Sequence, residues 1–414
     1  MGKFRIKQSY IDYTLVTLMY CISGNPAFNE TYPLGKIVNG LFLALLLVVM
    51  GFRIEKTAWK TSLLWMAFMG AIFTAQYFQL GQISFLGSFN FMVKMLCAIL
   101  FASYMGGRLQ ETAINVMAVV CAISLPLYLF NLAGGWIHSP IATDLRESLI
   151  IYTESIGEAN SGSLFRNSGM FWEPGAFAGY ILVTFMLFID RLEVLLGKYR
   201  RQTLLLIVTL LTTMSTTGYI VFFLFVLYFI FKIGMKGRQR TYAFLLAGGI
   251  LVLALLVFNK ADFLGEKINK ELAASEKLTE DDADPSRSGS IIFDLPYIAS
   301  HPLFGNGMMP ETRFRFHLGF FTEEQLNGFG NGFSGCIATM GILFMLAYLL
   351  AIGLNRTLRA KWFVIVLVIL LLQGEYYLNY PFFMLFPFLA FGPVREKPHR
   401  LKIKLVWNRQ EAAA

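Results

Sequence analysis

The chain has 414 residues, of which 56% are hydrophobic and only 15% are charged, with 40 Phe. Soluble domains carry about 25% charged residues, so a water-soluble globular protein is excluded, and the long unbroken apolar runs lack the alternation of a membrane β-barrel. A net charge of +9 would suit nucleic acid, but the distribution of the basic residues gives them another purpose.

In chain order, apolar segments of about 20 residues recur from end to end, each able to cross a hydrocarbon core. Twelve spans are expected, at 8–24, 35–52, 61–80, 86–106, 112–133, 170–190, 202–216, 218–234, 241–259, 330–353, 362–376 and 379–394. The expected fold class is all-α: a polytopic helical membrane protein forming one integral membrane domain over residues 1–414. No cleavable signal peptide is expected, because the first apolar segment lacks a small-residue cleavage site.

With the N-terminus in the cytoplasm, the two ends and alternate connections gather 24 of the 35 basic residues, from Lys3, Arg5 and Lys7 to the tail that starts at Arg395. The opposite side holds 19 of the 26 acidic residues. Positive loops stay cytoplasmic. The basic excess therefore reads as a topology signal and a surface for anionic membrane lipid, with both termini cytoplasmic and no nucleic-acid partner. The tight Ser215–Tyr219 turn, and Pro381 and Pro387 in the last segment, leave room for re-entrant elements, which are tolerated where protein covers the backbone.

Two outer connections are long, 134–168 and 260–328, and long connections tend to be functional or disordered. Function is expected on this extracytoplasmic face. In the first connection Arg166 precedes Glu173-Pro174 at the start of a span. Pro174 suits the first helical position. That puts Glu173 at a helix mouth, where the dipole favours a carboxylate, and Arg166 is near enough in sequence to fold over the same mouth. A capping glutamate with a headgroup arginine is one reading; an anion site with a general base beside it is the other.

In the second connection Ile291, Ile292, Leu295 and Ile298 predict an amphipathic helix along the membrane. Arg287 stands at its start and His301 at its end. An arginine there fits pyrophosphate, whose oxygens a guanidinium pairs bidentately; incidental charges on an interfacial helix fit as well. Arg313 and Arg315 flank Phe314 and either line a sugar-phosphate path or solvate a loop. Asp281, Asp282 and Asp284 read as a solvated acidic run rather than a divalent-cation site. His138, His301, His317 and His399 lack ligand spacing. Cys21, Cys97, Cys121 and Cys336 form no Cys-x-x-Cys pair. Neither a metal nor a disulfide framework is expected. Lys94 is the intramembrane charge that needs an internal partner.

Four local patterns resemble the Wzy-type polysaccharide (O-antigen) polymerases and the related O-antigen ligases. They are Arg166 followed by Gly169-x-Phe171-x-Glu173-Pro174, Ser215-Thr216-Thr217-Gly218, Arg287 followed by His301-Pro302-Leu303-Phe304-Gly305-x-Gly307, and the glycine-rich stretch from Gly330-Asn331 to Gly341. They cover roughly residues 160–345; the first five spans match only in being spans. The resemblance implies a GT-C-like, metal-independent glycosyltransferase of the bacterial inner membrane, without cofactor, acting at the periplasmic face on undecaprenyl-diphosphate-linked repeat units. It further implies a chain-length regulator and a flippase of the same pathway as partners. Family arginines in the two long loops engage the diphosphate, and Arg166 and Arg287 match them. On this reading Glu173 is the expected base with His301 as second choice, while Arg313, Arg315, Trp172, Trp136, Tyr219 and Asn331 are expected to bind substrate. Ligases commonly carry a His-Asn pair where this chain has Gly330-Asn331, which favours polymerase. A ligase acting on lipid A–core and a flippase remain the alternatives; the latter is expected to bind at midplane and to show internal repeats, of which the sequence has no convincing sign.

Overall fold

The computed structural model describes residues 7–29, 33–135, 141–142, 146–155, 165–232, 248, 287–317 and 331–389. Within them the chain is mainly helical: α1 (Gln8–Gly24), α2 (Pro26–Asn29), α3 (Pro33–Val49), α4 (Lys56–Leu80), α5 (Phe85–Met105), α6 (Arg108–Leu132), α7 (Pro174–Met186), α8 (Glu193–Leu196), α9 (Arg200–Thr212), α10 (Thr216–Lys232), α11 (Arg287–Ser300), α12 (Pro310–Arg313), α13 (Gly332–Leu354) and α14 (Lys361–Leu372). Among the described residues α4, α5, α6 and α13 are long and apolar enough to cross a membrane. Shorter helices occupy six more of the expected spans. Apart from residue 248, the span expected at 241–259 lies outside the described residues.

α7 is the central pillar. It is apolar all round its surface, as a helix surrounded by protein should be, and Ala176 through Met186 are all buried. α6 and α10 pack against it, and α9 and α1 pack on α6.

Two expectations need correction. The last span, 379–394, is not an α-helix. Its described part is two 3-10 turns, Tyr377–Asn379 and Phe383–Phe388. Pro381 and Pro387 carry no N–H to continue a helix. Phe382 through Phe386 are buried, and Asn355 at the far end of α13 donates to the carbonyls of Pro387 (3.3 Å) and Leu389 (2.9 Å). The segment thus returns along the length of α13 inside a protein sleeve, the one setting in which irregular backbone is tolerated at membrane depth. Lys94 of α5 finds its partner here, donating to Asn379 Oδ1 at 3.1 Å with the Tyr380 ring 5.9 Å away.

The second correction concerns the connection 134–168, where no strand was expected. It carries a three-stranded antiparallel sheet, β1 (Ile141–Ala142), β2 (Arg146–Leu149) and β3 (Tyr152–Ser155). The sheet is tied down from below. Asn25, just past α1, donates to the carbonyls of Ile150 (2.7 Å) and Met170 (2.8 Å). Thr153 N–H donates to the Gly169 carbonyl at 2.7 Å.

α11 forms where the sequence predicts a helix, but the expected apolar stripe is not its inner face. Ser290, Phe293, Asp294 and Tyr297 are buried against α13, while Ile291 and Leu295 point outward. Asp294 finds its polar partner Ser334 on the inner side, together with the rings of Phe293 and Tyr297, while Ile291 and Leu295 face outward.

The turn after α11 docks into a break in α13. Gly341 interrupts that helix with φ 82°, and a methyl group built on it would overlap the Leu303 carbonyl. Ile342 N–H donates to the Pro302 carbonyl at 2.8 Å, and Asn306 N–H to the Ala338 carbonyl at 2.8 Å. Gln76 of α4 bridges both partners, donating to the carbonyls of Phe304 (2.6 Å) and Thr339 (2.9 Å). Gly341→Val meets both the unfavourable φ and the overlap, and is expected to destabilise by about 2–3 kcal/mol. Thermal unfolding of the detergent-purified variant measures this; an unchanged transition would show that the turn does not depend on that glycine.

Candidate functional site

Residues 166–173 are held at several points. Asn167 N–H donates to the Thr212 carbonyl at 3.1 Å, and Trp172 N–H to the Gly24 carbonyl at 3.1 Å. Asn167 Nδ2 bonds Thr212 Oγ1 at 3.0 Å. Gly169 turns the chain with φ 55°. Arg166, half-buried, therefore sits on a fixed platform beside the end of α9. Glu173 is the N-cap residue of α7, yet its carboxylate makes no capping bond to that helix. Its side chain is half-buried at the helix mouth.

Three helix starts meet at this end of the molecule. Gly175 of α7, Ser215 just before α10, and Thr217 and Gly218 of α10 line one narrow cleft with Gly374, Glu375 and Tyr377. Tyr377 OH donates to the Gly175 carbonyl at 2.8 Å. The start of α13 closes on the same turn: Asn331 Nδ2 donates to Gln373 Oε1 at 2.8 Å, and a methyl group on Gly332 would overlap the Glu375 carbonyl. Glycines make this approach possible. Helix starts carry the positive end of the dipole, although Ser215 Oγ already accepts from Gly218 N–H at 3.2 Å at the start of α10 and the cleft itself is too narrow to admit a water molecule.

A second cluster adjoins the first across the opening turns of α13. Arg313 pairs with Asp294 and donates through Nε to Thr339 Oγ1 at 3.0 Å. Ser334 Oγ donates to Asp294 Oδ2 at 2.6 Å. The Arg313 guanidinium lies between the rings of Tyr297 (5.1 Å) and Phe314 (4.9 Å). Burial raises the Asp294 carboxyl above its ordinary range, against the opposing pull of Arg313 and Ser334. His317 Nδ1 meets Tyr297 OH at 2.7 Å. Burial, then the nearby Arg315 charge, lowers His301. Its Nε2 is buried and lacks a hydrogen-bond partner among the described residues.

α11 runs alongside α13 in the same direction, Asp294 facing Ser334 and Asn306 facing Ala338. Arg287 opens α11, two helical turns before Asp294, or about 10 Å along the axis. Its backbone is thereby placed toward the same end as Asn331 and the cleft. Its side chain lies outside the described residues, as does Trp136.

The other expected substrate contacts have structural partners. Trp172 is 6% exposed and stacks on Tyr380 at 4.6 Å, so its ring packs the core beneath the mouth. Tyr219 OH donates to the Leu211 carbonyl at 2.6 Å and ties α10 to α9. Asn331 caps α13, accepting from Phe333 N–H (3.1 Å) and Ser334 N–H (3.0 Å). Arg313 is 8% exposed and committed to Asp294, whereas Arg315 is exposed over the Phe316 ring. Asp294, Tyr297, Ser334 and Thr339 are the members that sequence reading missed. The available signal was Asp294 itself, a carboxylate in the apolar middle of a helix.

No group of three or more His, Cys, Asp or Glu suited to a metal ion occurs among the described residues; Asp281–Asp284 falls outside them. No family model, no curated protein and no solved structure matches this chain.

Proposed function

We propose that this protein is a polysaccharide polymerase of the Wzy type, a twelve-span GT-C-like glycosyltransferase of the bacterial inner membrane with both termini in the cytoplasm. It transfers a growing glycan from undecaprenyl diphosphate onto a lipid-linked repeat unit at the periplasmic face. The observation that carries the reading is the fixed placement of Arg166 and Glu173 on the segment that leads into α7, at the end of the molecule where the starts of α7, α10 and α13 approach the Gly374–Tyr377 turn. A diphosphate leaving group needs fixed positive charge, and helix starts together with guanidinium groups supply it without reorganisation.

In the reaction a sugar hydroxyl of the incoming unit attacks the anomeric carbon of the donor chain. The new C–O bond forms as the anomeric carbon–diphosphate bond breaks, and the electron pair leaves on the diphosphate oxygen. Arg166 and Arg287 stabilise that oxygen charge, with Arg315 at the rim. Glu173 accepts the hydroxyl proton. Arg313 acts through Asp294 and Ser334, holding α11 and hence Arg287 against the start of α13.

Purified protein supplied only with lipid-linked repeat units in a chelating buffer is expected to produce a ladder of longer glycans. Absence of a ladder, with transfer appearing only when lipid A–core is added, would replace polymerase with ligase. Glu173→Gln is expected to lower the extension rate about 10²–10⁴-fold while membrane insertion is kept. Full activity of that variant would move the base to another group.

A further inference from the structure

Lys94 stands in the middle of α5 and is 8% exposed. Its ammonium carries three N–H donors. One reaches Asn379 Oδ1 at 3.1 Å, and the Tyr380 ring lies 5.9 Å from Nζ. Both partners are neutral. No carboxylate among the described residues pairs with it, whereas Asp12 matches Arg108 and Asp294 matches Arg313. A buried cation without a counter-charge is costly to keep, and an anion brought by a substrate removes that cost.

The ammonium lies beneath the mouth at the start of α7. Tyr380 stacks on Trp172 at 4.6 Å, and Trp172 leads directly into Glu173 and that helix. Lys94 is about 14 Å along α5 from Phe85 at its outer end, and helical side chains lean toward the N-terminus, here outward. Asn90, one turn outward on the same face, accepts from Asn39 Nδ2 of α3 at 3.2 Å. Asn90, Asn379 and Tyr380 are all half-buried, so the polar cluster is not sealed off.

We propose that Lys94 is a specificity-determining residue that pairs with the carboxylate of an acidic sugar. This rests on the functional reading above and names the class of repeat unit, a glycan that contains a uronic acid. One ammonium beside carboxamides and an aromatic ring suits a monoanionic sugar. The carboxylate takes the N–H groups that Asn379 leaves, and the ring hydroxyls meet Asn90 and Asn379. A diphosphate carries more charge than one ammonium balances, and it has Arg166 and Arg287 as partners in the reaction above. Lys94 takes no part in making or breaking the glycosidic bond.

The test uses the full-length protein in phosphatidylcholine nanodiscs, with methyl β-D-glucuronide and methyl β-D-glucoside as probes read by saturation-transfer NMR. The two differ only in a carboxylate against a hydroxymethyl group. The unmodified protein is expected to bind the glucuronide about tenfold tighter, the worth of one charge-assisted hydrogen bond. Lys94→Gln keeps an N–H for Asn379 Oδ1 and loses the charge; it is expected to bind the two probes alike. Lys94→Arg is expected to keep most of the preference. No preference in the unmodified protein overturns the proposal. So does a preference that survives Lys94→Gln, whether or not the thermal transition falls, because Lys94 then acts only in packing. Pyrophosphate is the third probe: if Lys94→Gln weakens its binding and spares the glucuronide, the amine belongs to the diphosphate and the proposal is lost. A glycan ladder run in parallel separates the two ideas. A ladder without glucuronide preference removes the acidic-sugar site and leaves the polymerase reading standing, and a Lys94-dependent preference without a ladder does the reverse.

Discussion

Arg166→Ala is expected to reduce glycan chain extension by about 10²–10³-fold, the range found when one preorganised donor to a developing oxyanion is removed. The loss should fall on kcat more than on KM, because negative charge on the diphosphate oxygen grows as the glycosidic bond breaks and an interaction made mainly then is lost from the transition state. Arg166→Lys should recover only part of the rate, since an ammonium offers a point charge without the planar fork that matches phosphate oxygens. Folding should survive both changes. The segment is held by the backbone of Asn167 and Trp172 and by the Asn167 side chain, bonds that both variants keep, so the segment should stay in place and the unfolding curves measure what the arginine's own contacts contribute. Chain-length ladders from purified variants, read with their unfolding curves, check this. A normal ladder from Arg166→Ala would remove the arginine from the reaction.

Much of the helical layout could be read from apolar runs alone, because a membrane helix advertises itself by length and composition. α4, α5, α6 and α13 are visible this way, and so is the start of α7, where Pro174 fixes the first helical position. The failures have physical causes. Residues 377–389 are rich in Phe and Leu, but hydropathy reports where a segment lies and not what backbone it adopts. Two prolines and a protein sleeve turned this one into 3-10 turns. The hairpin around Ile150-Ile151 is too short to announce itself, and its hold on the core comes from Asn25, some 125 positions away.

The site was partly legible for the same reasons. Arg166 and Glu173 flank a helix start, which is a local signal. The convergence of α7, α10 and α13 on Gly374–Tyr377 is a product of tertiary packing, carried by glycines whose only mark is a missing side chain. The turn His301–Gly307 looked like chemistry, yet its glycines serve the docking of that turn into the α13 break at Gly341. His301 keeps its candidacy on other grounds, a buried Nε2 without a hydrogen-bond partner among the described residues, near the Arg315 charge.

The second large effect belongs to Arg313. Arg313→Ala strips Asp294 of its cation and leaves a buried carboxylate with Ser334 alone, which is expected to cost about 3–5 kcal/mol. Removing both charges with Asp294→Leu and Arg313→Met should recover most of that, because an apolar pair of similar volume avoids the desolvation penalty that the ion pair must overcome. The single variant should also acquire a pH signature. Asp294 already has its carboxyl raised above 3.8 by burial, with Arg313 the leading opposing influence; losing Arg313 raises it further. A carboxyl whose folded pKa exceeds its unfolded one favours folding fully below the unfolded value, and that contribution is lost as pH rises through the folded value. The deficit of Arg313→Ala should therefore be largest at neutral pH and shrink as the pH is lowered toward 4, while the doubly substituted protein shows no such slope. Thermal unfolding of the three proteins between pH 7 and pH 4 reads the effect. A pH-independent deficit would mean that Arg313 contributes through its packing between Tyr297 and Phe314 rather than through charge. Extension assays on the double variant then separate support from chemistry: if Arg313 serves only to hold α11 along α13, restoring that packing restores Arg287 to the cleft, and the glycan ladder with it.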